Sequence, residues 1–334
     1  MKVKFLMLVG AIAVTLCSCK KDDQNSNVVS QRYIHKYGYA VSKEEWDAKN
    51  YPGQEVTHMR DGVTVTATYE NGTLHGPTTH TFPNSQTVQY YYLYNQGSKV
   101  KEITYDPSGM PLQEKIQLSP SRYTMTTWYA DGAPMLVEDY AGEELLEGQY
   151  FTVNNEIEAR IEKGSGKKVL RDQKGMLLSK EDVQGGYVVK KETFYSSGAP
   201  ESVSTLYRGK LNGELKTFSI TGEPTAIEEW VNGKLHGKST YFKNGTKYLE
   251  VSYLYGEKNG LETHFVDGYQ ISQELVWEDN KMHGPAKFYL DGTETTSWYY
   301  DGKQVSKHRF DELNHLDQMI GNISSDFSAD TVTK

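Results

Sequence analysis

The chain has 334 residues, 37% of them hydrophobic and 12% aromatic, with 25 tyrosines and a net charge of −8 from 36 basic and 44 acidic residues. A chain this poor in aliphatic residues suits thin, half-exposed sheets, in which tyrosine buries its ring and keeps its hydroxyl wet. So acidic a body lacks the clustered cations that nucleic acid or an anionic lipid surface requires, which excludes both as partners of the whole surface.

Met1–Lys4 carries two lysines and is followed by twelve apolar residues, Phe5–Leu16. That is the length of a signal peptide; a membrane span needs about 20 residues. The run ends in Leu16-Cys17-Ser18-Cys19, which resembles the bacterial lipobox, with Leu at −3 and a small residue at −1. The resemblance implies cleavage before Cys19 and acylation of that cysteine, as with palmitate. Cys17 is the poorer candidate, because Leu16 would then occupy the small −1 position. Residues 1–18 are therefore expected to be a signal peptide, and 19–32 a lipidated cysteine with a flexible, polar tether. Lys20, where some inner-membrane lipoproteins carry Asp, points to the outer membrane of the cell envelope. Removing residues 1–18 takes away Lys2 and Lys4 and no acid, so the charge of −8 becomes −10. The chain has two cysteines, both in this region, so no disulfide or thiolate metal site is expected beyond it.

Residues 33–55 read as an N-terminal cap, in which Ser42-Lys-Glu-Glu45-Trp46 matches a capping box that starts a short helix. Residues 56–305 carry a repeat. Gly62, Gly109, Gly132, Gly175, Gly198, Gly222, Gly245, Gly268 and Gly292 each follow a turn residue, and Ser85 and Asn154 fill the two gaps. These eleven positions are 21 to 24 residues apart. Asn-Gly and Asp-Gly favour the type I′ hairpin turn, whose two central residues need positive φ. An aromatic precedes nine of the eleven turns by three or four residues, among them Phe82, Trp128, Phe194, Phe218, Phe242 and Phe265. Another follows by eight or nine, as at Tyr140, Tyr207, Trp230, Tyr253, Trp277 and Tyr300. This spacing predicts rings on one face of both strands of a hairpin, a face that only stacking of units can hide.

A second signature, Gly-x-x-x-Gly, follows the second strand. It joins Gly72 to Gly76, Gly209 to Gly213, Gly233 to Gly237 and Gly256 to Gly260, with Asn280 and Gly284 as a variant. Its glycines predict a tight link turn between units, with Leu or Met tucked inward. Asn232-Gly-Lys-Leu-His-Gly237, then Tyr241-Phe242, then Asn244-Gly245, then an aromatic strand, resembles the MORN-repeat variant. The resemblance is close over 207–303 and at 69–76 and weakens between 95 and 186, where the glycine pairs are lost. It implies an all-β, elongated, twisted ladder of tandem antiparallel hairpins with short helical caps. Such proteins serve mostly as scaffolds or binding surfaces, and some carry an antitoxin-like label. Residues 306–323, with Phe310, Leu313, Leu316, Met319 and Ile320 on one stripe, are expected to form a C-terminal helical cap, and 324–334 a disordered tail.

His75, His236 and His283 share one repeat position, but strand spacing separates repeats by about 10 Å, too far for a common zinc ion. A role in the link turn is the expectation for them. Gly164-Ser-Gly166-Lys-Lys168 lacks the spacing of a phosphate loop and reads as an irregular link, and paired acids such as Glu143-Glu144 and Glu228-Glu229 read as solvated faces. No enzyme, cofactor or metal is expected. The expected function is a lipid-anchored envelope scaffold for a protein or polymer partner. Glycan binding through the aromatic rows and antitoxin-type neutralisation are the alternatives.

Overall fold

The computed structural model describes residues 27–329. The signal peptide, Cys17, Cys19 and the first part of the tether lie outside the described residues, as does the end of the tail. The chain divides after Gly109 into two compact units. Their described residues form antiparallel strands joined by tight turns, with two helices.

The first unit starts with a strand, Val28–His35, paired with Gly53–Met59. Regular structure thus begins inside 19–32, the segment expected to be tether: residues 28–32 gain strand hydrogen bonds that offset their polarity. Ala40–Val41 also pairs with this first strand, and helix α1 (Lys43–Lys49) follows. Ser42 caps α1 by accepting the Glu45 amide at 3.2 Å. Asn50, at φ 49°, ends the helix in the left-handed conformation, its amide bonded to the Trp46 carbonyl. Trp46 is buried, its ring 5.3 Å from that of Tyr33 and 5.9 Å from that of Tyr69. The cap is thereby pinned to the hairpins that follow, from Gly53–Met59 to Ser98–Tyr105.

The second unit runs from strand Pro111–Ser119 to strand Lys303–Val305 and ends in helix α2 (Lys307–Ala329). Its ladder is open and mostly one layer thick, except around residues 134–194. There Leu136, Leu145, Tyr150, Ile161 and Val183 form a buried cluster. Strand Ser165–Arg171 is the third neighbour of Pro134–Ala141, and a flat sheet would hold the two about 14 Å apart. Instead Lys168 Nζ lies 2.6 Å from Glu138 Oε1, and the Leu145 amide donates to the Gly186 carbonyl at 3.0 Å. The sheet therefore folds over its own inner face at this point. This corner occupies the stretch where the glycine signature fades.

Several local expectations are corrected. The turns at Gly62, Gly132, Gly175, Gly198 and Gly222 are not type I′, since only the glycine has positive φ. In each, as at Gly132, the glycine amide donates to the residue three before it (Tyr129 O, 2.9 Å) and that residue's amide donates to the one after the glycine (Ala133 O, 2.9 Å). This is a type I turn closed by a left-handed glycine. Asp61 and Asp131 favour it by accepting the amides of Val63 and Ala133 at 3.0 Å. Asn155, at φ 61°, takes the glycine's part in one gap, and Asn84, at φ 55°, is the left-handed residue in the other, in place of Asn154 and Ser85. Type I′ geometry appears at Asn244-Gly245 and Asp291-Gly292, and at the links such as Asn71-Gly72, Asn232-Gly233 and Tyr255-Gly256.

The two sets of rings also do not share a face. In the pair Lys210–Phe218 and Pro224–Val231, Gly213 opposes Trp230, Leu215 opposes Glu228 and Thr217 opposes Ala226, so alternation puts Phe218 on the side opposite Trp230. The register likewise puts Tyr299, not Tyr300, in the row of Trp277, and leaves Tyr207 59% exposed beside a link turn.

At the carboxyl end, α2 continues past residue 323 into the expected tail. Ser306 Oγ accepts the Arg309 amide, and Phe310 packs on Trp298, His283 and Tyr300 at 5.0, 5.5 and 6.4 Å. Tyr300 also donates to Asp317. The expected apolar stripe is not covered along its length: Phe310 is buried, but Leu316 and Met319 are each 49% exposed.

Candidate functional site

All the predicted repeat glycines have positive φ. The turn glycines Gly62, Gly109, Gly132, Gly198, Gly222, Gly245, Gly268 and Gly292 lie at 72° to 89°, and the link glycines at 74° to 121°. The two glycines of each link do different things. The first closes a type I′ turn and turns its amide toward the preceding repeat. Gly233 donates to Leu211 O at 2.8 Å, Gly256 to Leu235 O at 2.7 Å, Asn280 to Lys258 O at 3.0 Å and Gly302 to Met282 O at 2.9 Å. In the first unit Gly97 donates to Leu74 O at 2.8 Å. From the Gly209 link to the Gly302 link, consecutive links are thus bonded to one another along one margin of the ladder. The opposite margin is tied by tyrosine: Tyr129 and Tyr195 donate to the carbonyls of Phe151 and Phe218 at 2.6 and 2.7 Å.

The second glycine of the signature is not part of the turn, which corrects the expectation for Gly76, Gly213, Gly237, Gly260 and Gly284. Gly76, at φ 95°, lies within strand Thr73–Thr81, and Gly213, at φ 106°, within Lys210–Phe218. The physical reason is a bulge in which three residues oppose one. Between the pairs Ala67–Thr78 and Tyr69–Leu74, only Thr68 stands opposite His75, Gly76 and Pro77. Between Ser204–Leu215 and Leu206–Leu211, only Thr205 stands opposite Asn212, Gly213 and Glu214. A Cβ on Gly213, Gly260 or Gly284 would lie 3.2, 3.1 or 3.1 Å from the side chain of Thr205, Ser252 or Val276. Gly76 has more room, with Thr68 at 3.5 Å, so there the backbone angle alone asks for glycine.

On the other side the same glycines oppose a ring of the next strand: Gly76 with Tyr94, Gly213 with Trp230, Gly237 with Tyr253, Gly260 with Trp277, Gly284 with Tyr299. The residue before each glycine is therefore a bulge residue, which also corrects the turn role expected for the histidines. His75 Nδ1 accepts the Gln96 amide at 3.3 Å, as Asn212 Oδ1 accepts that of Asn232 at 3.2 Å. His236 packs on Tyr255 at 4.7 Å, and His283 on Tyr300 at 4.9 Å. Each histidine thus reaches the link of the following repeat, and no histidine is brought to another.

Composition and spacing did not point to the acids on the inner face. Glu138 is 1% exposed and accepts from Tyr150 and Tyr140 hydroxyls at 2.7 and 2.9 Å as well as from Lys168. Burial first, and the Glu138 charge second, push both tyrosines well above the ordinary phenol range. Glu181 is bonded by Ser179 and Lys191 at 3.2 and 2.9 Å, and Glu228 by Trp230 Nε1 and Tyr241 at 3.2 and 3.1 Å. Glu228 is thus half-buried and paired, not simply a solvated face, while Glu143 and Glu144 are exposed. A signal was present: Glu138, Glu181, Glu228 and Glu274 each stand six residues after a turn glycine.

Beside the corner, one hairpin is splayed. Ile157–Glu162 and Ser165–Arg171 pair only at Glu162–Ser165 and Ile161–Gly166, around the type I′ turn at Lys163-Gly164. Gly164-Ser-Gly166 is accordingly a hairpin link, as its sequence suggests. Beyond it the two strands diverge, each keeping its outer neighbour. A cavity of about 320 Å³ opens here, lined by Glu158 and Ala159 on one strand and Lys167, Lys168 and Val169 on the other, and it continues over Lys180, Asp182 and Glu192 of the next two strands. Arg171 spans the far end, its guanidinium bidentate on Glu158 at 2.7 and 2.8 Å. No group of three His, Cys, Asp or Glu among the described residues is placed to hold a metal ion, and no described helix is long and apolar enough to cross a membrane.

No curated protein matches the sequence. Among solved structures, the chain is similar to an S. aureus TarM mutant in complex with fondaparinux, alpha-GlcNAc-glycerol and UDP, at 14% identity. That match covers 36% of this chain and 21% of the other, with a TM-score of 0.18. The family model for the MORN repeat matches residues 229–247 and 276–293, both inside the regular ladder with its bonded links, which is consistent with a MORN-repeat protein.

Proposed function

We propose that the chain is a non-enzymatic scaffold of the cell envelope, anchored through acylated Cys19, that presents its β-ladder to a protein partner. The observation that carries this reading is the row of link-to-link hydrogen bonds from Gly209 to Gly302, which holds these hairpins in fixed register and favours a rigid surface over a string of modules. Rigid display lowers the ordering cost of association. The anchor rests on the Lys2/Lys4, Phe5–Leu16 and Cys19 pattern, with the outer membrane favoured by Lys20. For glycan binding the inner aromatic row offers little, since its rings oppose glycines and Lys258 Nζ lies over Trp277 at 4.5 Å.

The test combines fractionation with in-cell crosslinking and mass spectrometry. Wild type should sediment with membranes and crosslink reproducibly to a small set of envelope proteins. Cys19→Ser should appear in the soluble fraction. Membrane retention of Cys19→Ser would overturn the anchor, and a crosslinked sample without specific partners would overturn the scaffold.

A further inference from the structure

The splayed hairpin carries an inference of its own. In a two-residue hairpin the residues flanking the turn, here Glu162 and Ser165, exchange both backbone bonds, and every second residue then points its N–H and C=O at the opposite strand. By that alternation Glu158 on one strand and Val169 on the other direct their backbone groups toward each other. Yet pairing stops at Ile161–Gly166, and these groups face the cavity instead. Both strands are fixed from behind, Ile157–Glu162 by Glu144–Phe151 and Ser165–Arg171 by Leu177–Gln184. Neither can close the gap by sliding, because the corner holds Lys168 on Glu138 and Leu145 on Gly186. Two facing strand edges offer matching rows of donors and acceptors to an extended chain.

We propose that this gap is a strand-acceptor slot, which binds an extended polypeptide segment of a partner by β-addition between Glu158 and Val169. The surrounding side chains set the chemistry of the segment. Lys167 pairs with Asp182 at 3.4 Å, Lys190 with Glu192 at 2.8 Å and Arg171 with Glu158 at 2.7 Å, so a strand alternating acidic and basic residues enters by exchanging with these pairs. Arg171 on Glu158 closes one end and is displaced as the strand enters. The slot rests on the scaffold reading, for which it supplies a docking site.

The experiment uses the purified chain and a labelled octapeptide of alternating Glu, Val and Lys, read by fluorescence anisotropy, with hydrogen exchange on the same sample. The expected result is saturable binding and slowed exchange over 157–160 and 167–171. N-methylation of the peptide's central amides should weaken binding at least tenfold. Val169→Pro removes the amide that faces the slot and leaves the Leu177–Gln184 ladder its bonds, so it should fold and bind at least tenfold more weakly. Should Val169→Pro misfold, the N-methylated peptide still decides. Equal binding of both peptides, absence of binding, or slow exchange of these amides in the peptide-free chain would overturn the slot. Crosslinked partners that persist in Val169→Pro would overturn it too, while leaving the scaffold standing; loss of all partners from wild type would overturn the scaffold instead.

Discussion

The amide of Gly233 donates to the carbonyl of Leu211 across 2.8 Å, joining two link turns one repeat apart. The bond needs the left-handed pair Asn232-Gly233, at φ 52° and 79°, which only a type I′ turn provides. It explains why the Gly-x-x-x-Gly signature recurs so faithfully in the later repeats. Its two glycines answer to different demands, one conformational and one steric.

Those demands separate by mutation. Gly292→Ala meets open space and faces only the cost of positive φ, about 1 kcal/mol. Gly284→Ala, at φ 121°, faces strain and a contact of 3.1 Å with Val276 Cβ besides, so a loss of about 2–3 kcal/mol is expected. Urea unfolding of the two variants should rank them in that order.

At the corner, Glu138 is the group whose removal should hurt least if its partner leaves as well. Lys168→Met alone strands a buried carboxylate and should cost about 3–5 kcal/mol. Combined with Glu138→Gln, which still bonds the two tyrosine hydroxyls, much of that loss should return. A double-mutant cycle followed by thermal melting measures the coupling.

Acid should weaken the later repeats through Glu250. Burial raises its carboxyl, but hydrogen bonds and charge from Lys238 and Lys247, at 2.6 and 3.2 Å, outweigh it and hold the group below its ordinary value. A folded-state value below the unfolded one means stability that is present above the unfolded value and lost as pH falls through the folded one. Wild type should therefore lose stability below about pH 4.5, and Glu250→Gln should lose less over the same range. Melting curves from pH 6 to pH 3 for both chains compare the slopes.

Phe310 is the hinge pin of α2. Phe310→Ala removes the ring from Trp298, His283 and Tyr300 and should free the helix without melting the ladder. Limited proteolysis should cut the variant in 306–319 at least tenfold faster, with the far-ultraviolet β signal unchanged.

How much of this was legible in the residues follows from what each signal depends on. The turn and link glycines are local requirements of φ, and their period therefore marked the ladder. The Ser42 cap was equally local, a hydroxyl three residues before Glu45. The facing of the rings was not, because a bulge shifts alternation and leaves no mark in a count from the turn; Phe218 and Trp230 thus look alike in sequence and lie on opposite sides. For the same reason Gly76 and Gly213 read as turn residues, although each sits in a strand. The corner was illegible for a different reason. It is made by residues three strands apart, such as Leu145 and Gly186, and shows in the sequence only as a repeat that loses its glycines. Glu138 shares with Glu181, Glu228 and Glu274 a place six residues after a turn glycine, but that spacing gives only a row, and burial follows only once its tyrosines and lysine are assembled around it.

The link-to-link bonds also set how the later repeats answer to force. Pulled from its ends, a ladder of hairpins is loaded strand by strand, so its bonds peel in sequence rather than shear together. Each link that fails releases one repeat of roughly 23 residues, about 75–80 Å of free chain. The stretch from Gly209 to Gly302 would then lengthen in even steps, as a tether that yields before it breaks.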